Sequence, residues 1–353
     1  MRRRNLLQLL ASSIVLLPSA SAGAAGLAAG SLTSITGSST AGKKGYITFV
    51  INVHEWAHID QGYVILNDLC SLFSSKGVKG DFYVTAPMAE KLASSYPATV
   101  SAMKLHGISY HSRPPHPLYT GFDASLQGLS ATALTQTITD FETYGQNLTT
   151  GALDKTKSGG FTKVKEVFGR APCAVSIVNS GTSILTSAAA VYKSMGAKMI
   201  VAFHEGESDP ANPFVQKYNL LVRPSHLKLT HSTGDEFWWN TVSAGKGGDP
   251  TESLKTQLSA WKETKLPFAT AIIHENNFFR SGPEAWTSVY YMDEQKTTPL
   301  APSFNLSAAE WGKERSSDSK SAIWQAYRDL VYYCADNMNV VTSQDIVTLS
   351  TTG

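Results

Sequence analysis

Cysteine is scarce in this chain: Cys70, Cys173 and Cys334 are three in 353 residues, widely spaced and without a C-x-x-C pair. That excludes a disulfide-framework scaffold and a cysteine-based zinc knuckle, although one bridge could close in an oxidising compartment and leave one thiol over. Cys70 and Cys334 fall on apolar helical stripes, which reads as core placement rather than nucleophilic chemistry. Charge of one sign is missing too. Thirty Lys+Arg stand against 28 Asp+Glu, and three of the basic residues are Arg2, Arg3 and Arg4, so the body of the chain is about neutral. Nucleic-acid binding needs a concentrated basic face and is excluded on this balance, whereas a neutral sugar polymer suits it. After residue 17 no apolar run is long enough to span a bilayer, so no stable membrane anchor is expected. Nor does any segment repeat at solenoid period.

What is present begins with a targeting pattern. Arg2-Arg3-Arg4 are followed by an apolar stretch at 6–17 and by Ala20-Ser21-Ala22, an A-x-A-like cleavage site. The string Arg3-Arg4-Asn5-Leu6-Leu7 resembles a twin-arginine signal; an ordinary secretory signal with one extra arginine is the alternative. Residues 1–22 are therefore expected to export the protein to the periplasm or beyond. Residues 23–44, rich in Gly, Ala, Ser and Thr, read as a flexible leader. Residues 45–353 read as a single domain, and a composition of 42% hydrophobic against 16% charged residues allows it a sizeable core.

Within that domain strand-like and helix-like runs alternate, the pattern of an α/β sheet or barrel. The continuous apolar run at 47–53 suits a strand buried on both faces, and 79–85, 108–111, 174–178, 199–203, 268–273 and 339–341 read as further strands. Apolar residues at helical spacing predict helices near 63–75, 131–144, 184–195, 252–262 and 321–336. Gly77 is placed to end the first, and Pro87 to open another. Two stretches, 209–248 and 279–319, break the rhythm and are expected to be long loops over one barrel mouth.

The chemistry concentrates at strand ends. One buried run finishes in His54-Glu55, another in His111-Ser112-Arg113-Pro114-Pro115-His116. The prolines forbid a helix there, so His111 and His116 would be fixed by an extended or turned loop. Imidazole and carboxylate donors bind zinc and similar ions, and Glu55 or His54 could complete the set. Against this stands the ordinary polar histidine, in a chain that has nine. In the predicted loops, Trp238 and Trp239, and Trp286 with Tyr290 and Tyr291, could stack on sugar faces or simply anchor the loops.

These residues carry a family resemblance. Gly77-Val78-Lys79-Gly80-Asp81-Phe82-Tyr83-Val84-Thr85, the His111-Ser112…His116 pattern, Ile272-Ile273-His274 and Val341-Thr342-Ser343 together resemble the polysaccharide deacetylase (NodB-homology) family across about the whole domain. The resemblance implies an irregular (β/α) barrel and a metal-dependent hydrolase that removes N- or O-acetyl groups from a polysaccharide or oligosaccharide. It implies a divalent ion, zinc before others, on Glu55, His111 and His116, with His54 as an alternative or additional ligand and metal-bound water as nucleophile. His274 falls at the general-acid position. The base falls on His54 or Asn52 according to register, and only His54 could take a proton; Asp60 is the reserve. The chain departs from the family pattern in three places. Asn52-Val53-His54-Glu55 stands where the family has paired aspartates, the second motif has one residue too many, and the arginine-proline motif is not recognisable around Pro172. Two other classes fit parts of the pattern: a glycosidase using a pair from Glu55, Glu205 and Glu275, and a glycan-binding protein without turnover.

Overall fold

In a strand, successive side chains point to opposite faces, and this alternation sorts the residues of the first strand. The computed structural model describes residues 42–178, 181–202, 209–229 and 248–352. Along β1 (Tyr46–Val53), Ile47, Phe49, Ile51 and Val53 join the main hydrophobic cluster beneath the helices, while Val50 joins a second cluster on the other face. A strand buried on both faces cannot alternate apolar with polar, which is why the sequence shows one continuous apolar run.

The same logic governs its neighbours. The remaining strands are β2 (Asp81–Val84), β3 (Gly107–His111), β4 (Tyr144–Gln146), β5 (Leu153–Ser158), β6 (Ala174–Ile177), β7 (Met199–Ala202), β8 (Gln216–Lys217), β9 (Leu220–Val222), β10 (Leu227–Lys228), β11 (Phe268–His274), β12 (Arg280–Ser281), β13 (Lys313–Glu314) and β14 (Asn339–Val340). One sheet runs β10-β11-β1-β2-β3-β6-β7-β9-β8, with β14 paired to β1. All its pairings are parallel except β8 with β9. Helices at Ile59–Ser75, Ala86–Ser95, Ala131–Thr143, Gly160–Phe168, Thr182–Met195, Pro250–Ala260 and Ser317–Asn337 connect and cover the strands. The sheet curls into an irregular, incompletely closed (β/α) barrel, the architecture expected from the sequence. The predicted strands recur within a residue or two, as do the helices at 131–144, 184–195 and 252–262. The first and last predicted helices each gain four residues at the N-terminus. The helix Ala86–Ser95 has Pro87 in its first turn, as expected, whereas the β4–β5 hairpin and the other short helices carry no clear sequence signal.

The C-terminal helix Ser343–Thr352 packs its Ile346 into the inner cluster of the sheet, with Val50, Tyr83 and Phe268. Buried Asp81 accepts hydrogen bonds from Ser109 Oγ (2.9 Å) and from the Ser343 N–H (2.8 Å). All three cysteines are buried free thiols, which fits the reading of Cys70 and Cys334 as core residues. Among the described residues no helix is long and apolar enough to cross a membrane. Residues 1–41, which hold the expected export signal and most of the leader, lie outside the described set.

One histidine of the frame gives a pH-dependent stability. His106, just before β3, lies against Phe73 and Phe82 with ring centroids 6.0 and 5.6 Å away. Burial, with Lys79 adding to it, lowers its pKa from 6.5 to about 4. The unfolded chain thus binds more protons than the folded one between those values. Stability should be complete above pH 6.5 and decline as pH falls toward 4. Urea titrations at pH 7 and pH 5 test this: His106→Leu should shrink the loss between the two pH values, and an unchanged loss would assign it to other groups.

Candidate metal centre

Register brings the strand-end histidines together. β1 lies between β11 and β2, and β2 lies between β1 and β3. Asn52 pairs with His274, Val53 with Val84, and Val84 with Tyr110, so His54, His274 and His111 finish at one edge of the sheet. Alternation sends all three inward: His54 continues the face of Val50, His111 that of Ser109, and His274 that of Phe268 and Ile272. The His54 ring lies edge-on to His274 at 4.7 Å and to His111 at 5.9 Å between centroids.

The acid that joins them is Glu284. It sits ten residues beyond His274, in the stretch read as a loop, and is fully buried. Glu284 Oε1 lies 3.5 Å from His54 Nδ1 and 3.7 Å from His274 Nδ1. Ligand atoms from His54, His274 and Glu284 all lie within 4.8 Å of one another, a grouping that could hold a metal ion. Its second oxygen, Oε2, accepts from Lys296 Nζ at 2.7 Å. Lys296 is delivered by a tight turn: its own φ is 58°, and the Asp293 carboxylate accepts from the N–H groups of Thr297 and Thr298.

The electrostatics suit cation binding. Burial, then Arg113, hold both His54 and His111 well below the usual imidazole range, so their rings are neutral and keep a lone pair. Burial alone would raise Glu284, but the Lys296 ammonium and, after it, the Arg113 guanidinium outweigh it and keep the carboxyl ionised. Neither ring nitrogen of His54 has a hydrogen-bond partner, and neither has His111 Nε2 or Glu284 Oε1. Buried polar atoms are rarely left this way, and a cation is the partner this donor set fits.

The other expected ligands are engaged elsewhere. Glu55 continues the alternation outward, away from the histidines, and its Oε2 accepts from the Ala285 N–H at 2.8 Å. His116 Nδ1 accepts from the Leu118 N–H at 3.1 Å, and its Nε2 faces Glu142 Oε1 at 3.1 Å. Glu142 also accepts from the Phe161 N–H, and a Cβ on Gly160 would run into Glu142. His116 thus helps fix the hairpin side of the cavity, with neither nitrogen turned to His111. Glu275 Oε1 accepts from the N–H groups of both His54 and Glu55 at 2.6 Å, tying the end of β1 to that of β11.

His54, His111, Arg113, His116 and Trp286 line a cavity of about 320 Å³, within the range of small-ligand sites. Trp286 is 2% exposed and meets His54 edge-on, so it is a buried wall and not the exposed stacking platform one reading gave it. Trp238, Trp239 and Glu205 lie outside the described residues. Asp60 opens the helix Ile59–Ser75 and is not among the grouped ligands. Glu55 and Glu275 are fully buried, each with one oxygen held by main-chain N–H groups, and neither lines the cavity where a glycan could reach it, which leaves the glycosidase pair without support.

No family model and no curated protein matches the chain. Among solved structures it is similar to a Mycobacterium smegmatis protein described as a polysaccharide deacetylase. That match has 12% identity and a TM-score of 0.50, covering 88% of this chain and 91% of the other. A probable polysaccharide deacetylase of Pseudomonas aeruginosa matches at 12% identity and TM-score 0.45, covering 87% and 91%. The 4-alpha-glucanotransferase of Thermococcus litoralis matches at 9% and 0.48, covering 87% of this chain and 40% of that one. The first match supports the fold as a barrel of the polysaccharide deacetylase type.

Proposed function

We propose that the protein is a metal-dependent hydrolase that removes acetyl groups from a polysaccharide or related glycan. The observation that supports this most directly is the meeting of His54, His274 and Glu284 beside a ligand-sized cavity on a deacetylase-type barrel. These three residues would hold a divalent cation, with zinc the best match to two imidazoles and a carboxylate. Such an ion supplies Lewis acidity toward a carbonyl oxygen and toward water.

The chain's own groups do the rest. Glu275 fixes the backbone of His54 through two N–H groups, and Lys296 holds the second oxygen of Glu284, so both ligands keep their orientation. His111 Nδ1 faces the Ser176 carbonyl at 3.4 Å and can donate its proton there, which leaves the lone pair on Nε2. Nε2 is then placed to accept a proton from an attacking water and pass it to the departing amine or alkoxide. In this proposal His111 takes the proton-carrying part, and His54 and His274 serve as ligands. The cavity wall, with Trp286 and the β4–β5 hairpin, keeps bulk water from the reacting carbonyl.

The test is release of acetate from a panel of N- and O-acetylated oligosaccharides by the purified protein. Release is expected with zinc and should stop when the ion is chelated. Protein that holds stoichiometric zinc yet frees no acetate from any substrate would overturn the deacetylase reading.

A further inference from the structure

Arg113 lies on the loop between His111 and His116 and lines the same cavity. Its guanidinium rests over the Tyr119 ring at 5.7 Å, and its Nε is buried without a hydrogen-bond partner. The other basic groups of the wall are already balanced: Lys157 lies 3.7 Å from Asp154, and Lys163 lies 3.7 Å from Glu166. The site carboxylate whose charge Arg113 feels, Glu284, is bound by Lys296. Arg113 is thus a half-buried cation facing the cavity with no carboxylate hydrogen-bonded to its Nε. A guanidinium kept from water is costly unless an anion meets it, and its planar fork matches a carboxylate.

We propose that Arg113 is an anion-recognition subsite and that the substrate class is an acylated saccharide bearing a carboxylate, as a uronic acid does. The acyl group in this statement rests on the hydrolase reading; the carboxylate preference does not. A wholly neutral glycan would leave the Arg113 guanidinium without an anion in direct contact when it fills the cavity and displaces water. A carboxylate would take both guanidinium edges and fix the sugar's orientation before any bond is broken.

Calorimetric titration of the full-length protein with two probes tests this: an acetylated disaccharide containing glucuronate, and the neutral methyl ester of the same disaccharide. Both zinc-loaded and chelated protein are used, because an ion could bind the carboxylate directly. The ester should bind about thirtyfold more weakly than the acid to wild-type protein in both states. Arg113→Gln should bind the two alike, and Arg113→Lys should recover part of the preference, which separates lost charge from a misfolded loop. Equal binding by the wild type, no detectable binding of the glucuronate probe, or an undiminished preference in Arg113→Gln would each overturn the proposal. Charge preference without acetate release would leave this subsite standing and remove the deacetylase reading. Acetate release with equal binding of the two probes would do the reverse.

Discussion

Replacing His54 by alanine is expected to weaken zinc binding by at least about a hundredfold, the upper end of what outer-shell partners alone are worth. His54 stands at the centre of the group, 3.5 Å from Glu284 and edge-on to both His274 and His111. It is also buried, so alanine leaves a cavity where the imidazole lone pair stood, and a water there is a weaker ligand than the ring it replaces. The Glu284→Gln variant should show a loss of similar size, because the remaining amide oxygen is neutral and its NH₂ cannot donate an electron pair. His116→Ala should leave zinc affinity within a few-fold of wild type, since His116 is held by Leu118 and Glu142. Competition titrations against a chelator measure all three. Affinity that survives in His54→Ala and collapses in His116→Ala would move the centre to the other side of the cavity.

The second large effect concerns stability. Lys296→Met removes the ammonium at 2.7 Å from fully buried Glu284 and leaves a carboxylate uncompensated. Breaking a buried pair by removing one partner costs about 3–5 kcal/mol, and the metal-free variant should lose stability of that order. A bound cation would then replace Lys296 as the positive group in direct contact with Glu284, leaving Arg113 to act only through space. Zinc should therefore restore more stability to Lys296→Met than it adds to wild type. Denaturant unfolding with and without zinc gives both numbers. Equal stabilisation of the two proteins would show that the ion and Glu284 do not interact.

Much of this centre was legible in the sequence because strands announce themselves. The run ending in Val53 and the run ending in Ile273 predict buried parallel strands, and histidines one step past such runs fall at one edge of a barrel. Which of two adjacent residues faces inward was harder. His54 and Glu55 are both plausible donors by chemistry, and only the strand's alternation assigns His54 to the interior. His111 and His116 looked like a pair because they share a short Pro-Pro loop, yet backbone and helix partners claim His116. Glu284 escaped notice altogether. It lies in 279–319, a stretch with no helical or strand periodicity, and no spacing rule ties it to His274. The lone acid in Gly282-Pro283-Glu284-Ala285-Trp286, followed at once by buried aromatics, was the one available signal. Lys296 is placed by a turn whose geometry depends on Asp293 and on a positive φ, which the sequence does not display.

The account turns on where a cation sits, and anomalous diffraction at the zinc edge from crystals of the zinc-loaded protein locates it directly. A single peak bounded by His54, His274 and Glu284 is the predicted result. A peak between His111 and His116, or none in crystals grown with excess zinc, would contradict it.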